Sequence, residues 1–300
     1  MKCPIKQEKN MSFKVDNAII MAAGTASRFA PLSYERPKAL IEVKGEILIE
    51  RQIRQLKEAG VLEIIIVTGY KSEQFDYLAE KFGVRLIKNE DYLTRNNNAS
   101  IYVAKDYIKN TYICSSDNYF SENPFESEVE DAYYSAIYAD GETKEWCMTE
   151  DADGYINSVT VGGRDAWFML GHVFWSEEFS RKFLRILEDM YDTPECVDLL
   201  WESIYMAHLD ELKMKMRRYS DDVIFEFDTL DELRVFDTTY VTDTRSVILK
   251  ALSEKLGCSE ADMINVTAYK TADNSAAGMR FDACGVKYEY TYENSELRRI

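Results

Sequence analysis

Short apolar runs bounded by small or turn-forming residues recur along the first part of the chain. Asn17-Ala18-Ile19-Ile20, Glu63-Ile64-Ile65-Ile66-Val67, Val84 to Lys88 and Tyr112 to Ser116 have the pattern of strands buried on both faces of a parallel sheet. Between them the period changes. Ile47, Ile49, Ile53 and Leu56 recur at near-helical spacing among charged residues, which predicts an amphipathic helix over Gly45 to Ala59 with Gly60 as its stop. Ile41-Glu42-Val43 ahead of it reads as a short strand entering a Lys44-Gly45 turn, and Ser72 opens a helix to Phe82 stopped by Gly83. Alternating strands and helices with short links give a doubly wound, mostly parallel, Rossmann-like α/β sheet, in which ligands sit at the carboxyl ends of strands.

Further on, Tyr133–Tyr138, Trp146–Thr149, Tyr155–Val161 and Trp167–Trp175 alternate apolar and polar residues, the mark of a more antiparallel region that could wall a pocket. Helices are predicted over Glu177 to Tyr191 and Glu195 to His208, and strands over Lys213 to Arg217 and Val223 to Phe227. Thr229-Leu230-Asp231-Glu232 has the capping-box form that starts another helix. Asn89 to Ser100, with Asn96-Asn97-Asn98, reads as a loop. The organisation is thus an N-terminal extension (1–16), an α/β domain (17–237) and a small α+β C-terminal appendage (238–300). The appendage carries a helical stretch near Ser246 to Leu256, and Tyr288-Glu289-Tyr290-Thr291-Tyr292 reads as an edge strand with tyrosines on one face, or as an oligomer contact.

Composition narrows the function classes. A net charge of −17 over 300 residues argues against a nucleic-acid or anionic-membrane binder, since both need clustered Lys and Arg. It leaves room for a nucleotide pocket with a few local cations and a metal held by acids. Cys3, Cys114, Cys147, Cys196, Cys258 and Cys284 show no paired spacing, so they read as free thiols of a reducing compartment. No stretch has the apolar length of a signal peptide or membrane span, and a cytoplasmic protein is expected. With only His172 and His208, both read as structural, a Ser-His-Asp mechanism is disfavoured.

The chemistry gathers after the first strand. Met21-Ala22-Ala23-Gly24-Thr25-Ala26-Ser27-Arg28-Phe29-Ala30-Pro31-Leu32 leaves it through small residues, whose backbone N–H groups can approach a polyphosphate closely. Arg28 and, in Arg36-Pro37-Lys38-Ala39-Leu40, Lys38 add positive charge. This pattern resembles the signature of the nucleotidyltransferases that join an NTP to a phosphorylated small molecule, and within them the bacterial CTP:phosphocholine cytidylyltransferases. The resemblance extends through Val67 to Leu78, Ser116-Asp117-Asn118-Tyr119, Glu145-Trp146, Val197 to Trp201 and Phe225-Glu226-Phe227-Asp228, and stops at Asp237.

The resemblance implies cytidylyl transfer from CTP to phosphocholine, with pyrophosphate released. Ala22, Ala23, Gly24, Thr25, Ala26 and Ser27 would cradle the triphosphate, Arg28 and Lys38 would grip it, and Asp117 and Asp228, each ending a predicted strand, would hold Mg2+. Asn97 and Ser100 would read the base, or Asn97 simply form the turn. A quaternary ammonium donates no hydrogen bond and is recognised by aromatic faces and carboxylates. Trp146 matches the family's choline-stacking tryptophan, Glu202 and Glu226 fall at its acidic positions, and Arg164 aligns with a lysine near the acceptor phosphate. Leu200 stands where an aromatic is expected, and Glu202 replaces a shorter acid, which keeps a related aminoalkyl phosphate or phosphonate open as acceptor. A sugar-1-phosphate nucleotidyltransferase and a non-catalytic nucleotide or phosphocholine sensor are the other readings, and a homo-oligomer is compatible with all of them.

Overall fold

The computed structural model describes residues 12–271 and 276–300. Seven strands form the central sheet, in the order Lys215–Arg218, Tyr133–Glu150, Ile156–Trp175, Thr111–Ser115, Asn17–Ala22, Glu63–Thr68 and Arg85–Lys88. Asn17–Ala22 lies between parallel partners, Glu63–Thr68 on one side and Thr111–Ser115 on the other. Its interior position explains its unbroken apolar character: Ala18, Ile19 and Ile20 are fully buried. The sheet is the mostly parallel α/β sheet expected, extended by an antiparallel pair and followed by a separate four-stranded antiparallel sheet at the C-terminus.

Several predicted boundaries move, each for a local reason. Lys44 and Gly45 both have positive φ (52° and 84°) and turn a small hairpin between Glu42–Val43 and Glu46–Ile47, so the helix predicted from Gly45 begins at Leu48. The four antiparallel segments are two long strands, Tyr133–Glu150 and Ile156–Trp175, whose pairing continues across several bulges. The helix predicted from Glu195 is a short 3-10 turn, Pro194–Cys196, and then Trp201–Ala207. The carbonyls of Cys196 and Leu199 accept from the buried Asn98 side chain instead of continuing a helix. Ser72 to Phe82 is likewise a 3-10 turn, Ser72–Phe75, and a helix, Tyr77–Phe82, that Gly83 stops in the left-handed conformation. The helix start at Thr229 has both hydrogen bonds of the capping box.

Residues 1–11, with Cys3, lie outside the described residues; Phe13–Lys14 of the N-terminal extension pairs with Glu128–Val129. The C-terminal sheet runs Met263–Lys270, Ala276–Ala283, Val286–Thr291, Glu296–Arg299. Val286–Thr291 is therefore an interior strand, not an edge, and its tyrosines turn into a core rather than outward. That core is shared: Met263, Val266, Met279, Phe281 and Tyr292 pack with Phe29, Ala30, Leu32 and Ile41 of the signature segment. The Glu35 carboxylate reinforces the junction. It accepts from Ser246 Oγ at 2.5 Å, Val247 N at 3.0 Å and Ile248 N at 3.1 Å, capping the Val247–Leu256 helix from the other side. No helix among the described residues is long and apolar enough to cross a membrane.

Candidate active site

The small-residue turn leaves Asn17–Ala22 at the carboxyl end of the sheet and is held there by the neighbouring strand. Tyr70 N donates to Ala23 O at 3.0 Å, and Gly69 lets the two approach, since a Cβ there would lie 2.8 Å from Ala23 O and from Tyr92. Ala26 takes the left-handed conformation (φ 44°) and opens the short 3-10 turn Ser27–Phe29. Ala22, Ala23, Gly24 and Ala26 line a cavity of about 270 Å3 together with Lys38, Asp117, Asn97 and Ser100, all anticipated from sequence. Thr25 and Ser27 face a neighbouring cavity lined by Tyr34, Tyr70, Tyr92 and Tyr292 instead.

Among the lining residues, Asn89, Tyr92, Arg95, Asn96, Ser115 and Ser116 were not singled out from sequence, although the first four belong to the loop that the family resemblance places along the base. Asn89 directly follows the Arg85–Lys88 strand. Position at a strand's carboxyl end was the signal that could have found it. Tyr92 and Arg95 lie deeper in the loop and carried no signal.

Behind the turn, charges converge on Lys38. Its buried Nζ contacts Asp117 Oδ2 at 2.9 Å and Asp228 Oδ1 at 3.7 Å, and the exposed Arg28 reaches Asp228 Oδ2 at 2.7 Å. Three distant stretches of the chain thus meet at one point. Gln52, on the Leu48–Glu58 helix, positions the Asp117 turn by donating to Ser115 O and Asn118 O, while Ser115 Oγ donates to Asp117 Oδ1 at 2.7 Å. Burial disfavours the Lys38 ammonium, but Asp117, Glu226 and Asp228 outweigh it and raise its pKa. Burial also works against Asp117, yet Lys38 and Ser115 keep its pKa low. Glu226 is the odd acid of the group: Asp117 beside it, then burial, lift it to about 8.

A second cavity, about 140 Å3, is lined by Tyr134, Glu145, Trp146, Met169, Leu200 and Glu202. Trp146 and Glu202 meet there as expected. Glu226 does not line it; Asn118 Nδ2 donates to Glu226 at 3.3 Å, which keeps it with Asp117. The buried Tyr134 hydroxyl of this cavity has its pKa raised first by burial and further by the charges of Glu202 and Glu226. Arg164 is left out of that cavity's lining: it sits at an exposed position partway along the antiparallel ladder opposite Glu142, pairing with it at 3.4 Å and with Asp165 at 3.6 Å. The ladder shifts register between Ala139 and Glu142 and again between Thr143 and Trp146, on either side of the Glu142–Arg164 pair.

Asn97 joins the two cavities. It lines the first, while its Nδ2 donates to Glu202 Oε2 at 3.0 Å and its Oδ1 accepts from Trp201 N at 2.7 Å. Each end of the amide has a protein partner, with one Nδ2 hydrogen and one Oδ1 lone pair left over at the wall of the first cavity. Ser100 is not in a loop but on the Asn98–Val103 helix, where Asn89 Nδ2 donates to it at 3.3 Å. The whole asparagine run is stitched to one segment, Asn96 donating to Asp198 O and Asn98 to Cys196 O and Leu199 O. Burial lifts the Glu202 carboxyl to about 7, with Asn97 opposing the shift.

Residues 18–123 match the MobA-like NTP transferase domain. The choline-phosphate cytidylyltransferase of Streptococcus pneumoniae is 35% identical over 217 residues, 72% of this chain and 95% of the relative. The 2-aminoethylphosphonate cytidylyltransferase of Lancefieldella rimae is 36% identical over 242 residues, 79% of this chain and 98% of the relative. A solved structure of the CTP:phosphocholine cytidylyltransferase from S. pneumoniae superposes with a TM-score of 0.72 at 34% identity, covering 76% of this chain and 99% of that one. A putative glucose-1-phosphate thymidylyltransferase from Bacillus anthracis shares the fold at 16% identity and a TM-score of 0.61. With the small-residue turn, the lysine between two aspartates and relatives of this identity matched nearly end to end, the chain belongs to the cytidylyltransferase family of nucleotidyltransferases that includes the choline-phosphate cytidylyltransferases.

Proposed function

We propose that this chain transfers the cytidylyl group of CTP to phosphocholine, giving CDP-choline and pyrophosphate. The observation that carries the reading is the adjacency of the two cavities, Asn97 lining the first and bonding Glu202 of the second: one is walled by the small-residue turn, Lys38 and Asp117, the other by Trp146, Tyr134 and two carboxylates. A phosphate oxygen of the acceptor attacks the α-phosphorus of CTP as the bond to the bridging oxygen breaks and pyrophosphate departs. The monoester is already anionic near neutral pH, so no general base is required. Positioning and charge do the work. The turn and Arg28 hold the triphosphate, Lys38 opposes the charge developing around the α-phosphate, and Trp146 with Glu202 orients the trimethylammonium end.

The donor set fits a hard divalent cation. Asp117 and Asp228 both present carboxylate oxygens to the same ammonium, Lys38 Nζ, so a positive charge between them is already accommodated. These two aspartates would hold Mg2+, which when bound neutralises phosphate charge. Asp117→Ala and Asp228→Ala are expected to abolish turnover.

A specific observation favours a second reading, a primary aminoalkyl phosphate or phosphonate as acceptor. Leu200 lines the acceptor cavity where an aromatic face was expected, and the Glu202 carboxylate can accept hydrogen bonds that a quaternary ammonium cannot donate. Pyrophosphate release from CTP with phosphocholine, phosphoethanolamine, 2-aminoethylphosphonate or hexose 1-phosphates separates these cases. The first reading requires kcat/KM to be highest with phosphocholine; a higher value with 2-aminoethylphosphonate replaces it with the second.

A further inference from the structure

The strand Met263–Lys270 brings the C-terminal sheet against the turn Ser27–Phe29, and its residues Met263 and Val266 share a core with Phe29 and Ala30. Its last residue, Lys270, lines an open cleft of about 300 Å3 with Thr25, Tyr92, Arg95, Asn96 and Asp198. Tyr92, Arg95 and Asn96 also line the nucleotide cavity, and Thr25 follows Gly24 at the tip of the small-residue turn. The cleft is thus the outer mouth of that cavity.

The charges differ between the inner and outer parts. Inside, Arg28 and Lys38 are already matched by Asp117 and Asp228, with Glu226 adjoining. At the mouth, Arg95 and Lys270 face a single acid, Asp198, and neither forms an ion pair among the described residues. Arg95 is held in place by stacking 3.9 Å over the Tyr191 ring, and its buried Nη1 has no hydrogen-bond partner among the described residues. In a chain of net charge −17, two cations without an ion pair among the described residues, beside the small-residue turn, form a local electropositive mouth suited to a polyphosphate.

We propose that Lys270, with Arg95 beside it, binds the terminal phosphates of the nucleoside triphosphate and the pyrophosphate that leaves, which makes the C-terminal sheet part of the nucleotide site. This rests on the nucleotide reading above. It goes beyond the family likeness, because the sequence resemblance stops at Asp237 and the superposed S. pneumoniae enzyme, covered over 99% of its length, accounts for 76% of this chain.

Calorimetry on the full chain in magnesium buffer, with CTP, CMP and inorganic pyrophosphate as titrants, tests it. Lys270→Ala should weaken CTP and pyrophosphate about 5- to 10-fold, the size of one lost charge-assisted contact, and leave CMP within about two-fold. Lys270→Arg should restore both, and KM for CTP should rise in the alanine variant while KM for the acceptor holds. Unchanged CTP affinity in Lys270→Ala overturns the proposal. An equal loss for CTP and CMP overturns it as well, since that reports a disturbed turn rather than a lost phosphate contact. Failure of the unaltered chain to bind any of the three instead sinks the nucleotide reading itself.

Discussion

Tyr34, four residues before Lys38, stacks face to face on Tyr292 of the C-terminal sheet, with ring centroids 3.9 Å apart and planes 14° from parallel. The contact ties the segment that follows the small-residue turn to the last third of the chain. Glu35 next to it caps the Val247–Leu256 helix, and Tyr240 donates its hydroxyl to Glu42 O at 2.5 Å, so the junction combines stacking, capping and a hydrogen bond. The C-terminal sheet is therefore packed onto the catalytic half rather than tethered to it.

Tyr292→Ala should destabilise the protein by about 3–5 kcal/mol, the usual cost of truncating a buried aromatic, and raise KM for CTP by loosening the turn. Tyr292→Phe should behave oppositely. The Tyr292 hydroxyl is buried with no hydrogen-bond partner among the described residues, so removing it leaves stability unchanged or slightly higher. Thermal unfolding of the two variants checks both signs, and a phenylalanine variant as damaged as the alanine one would contradict the structure.

Gly69→Ala places a Cβ 2.8 Å from Ala23 O and from Tyr92, so backbone must shift where Tyr70 N pins the turn. Overpacking of this kind costs about 1–3 kcal/mol. Because the displaced atoms carry the nucleotide cavity, CTP affinity should fall more than acceptor affinity; isothermal titration with each substrate distinguishes the two.

Glu202 carries a pH signature. Its carboxyl is lifted to about 7 in the folded chain, above its ordinary value of 4.5. The folded state therefore favours its protonated form. That contribution is complete below about pH 4.5 and is lost as pH rises through 7, so Glu202→Gln should be more stable than the parent at pH 8 by roughly 1–3 kcal/mol, with the advantage vanishing towards pH 4.5. Acceptor binding should run the other way, tightening as Glu202 ionises between pH 6 and 8 in the parent and losing that component in Glu202→Gln. Chemical denaturation and KM profiles across this range measure the two effects.

Removing Mg2+ should stop turnover without unfolding the chain, because Lys38 already screens Asp117 and Asp228. Lys38→Ala takes that screen away from three acids, counting Glu226. The variant should lose about 100-fold or more in kcat, as for removal of one electrostatic stabiliser. Its melting temperature should rise more on adding Mg2+ than the parent's does. Equal shifts in the two proteins would remove the aspartates from the metal site.

The parts legible in the sequence are those governed by local backbone geometry. Burial on both faces writes Asn17–Ala22 and Glu63–Thr68 as apolar runs, close approach writes the small-residue turn, and the Thr229 to Glu232 capping box is complete within four residues. The first signature also carried Lys38, since its place after the turn is a matter of chain spacing. Tertiary structure alone decided the side-chain partners. Spacing put Asn97 in a turn-forming run, and only the Trp201–Ala207 helix brings Glu202 and a backbone N–H to its amide. Glu226 joins Asp117 because Ile224–Glu226 pairs with Asn118–Phe120, and Arg164 pairs with Glu142 and Asp165 outside the Trp146 cavity. Lys270 reaches the mouth of the cavity only because the C-terminal sheet folds back on Phe29 and Tyr34. Periodicity reports which face of an element is buried; it holds no information on which distant residue will meet that face, and that choice is made by packing.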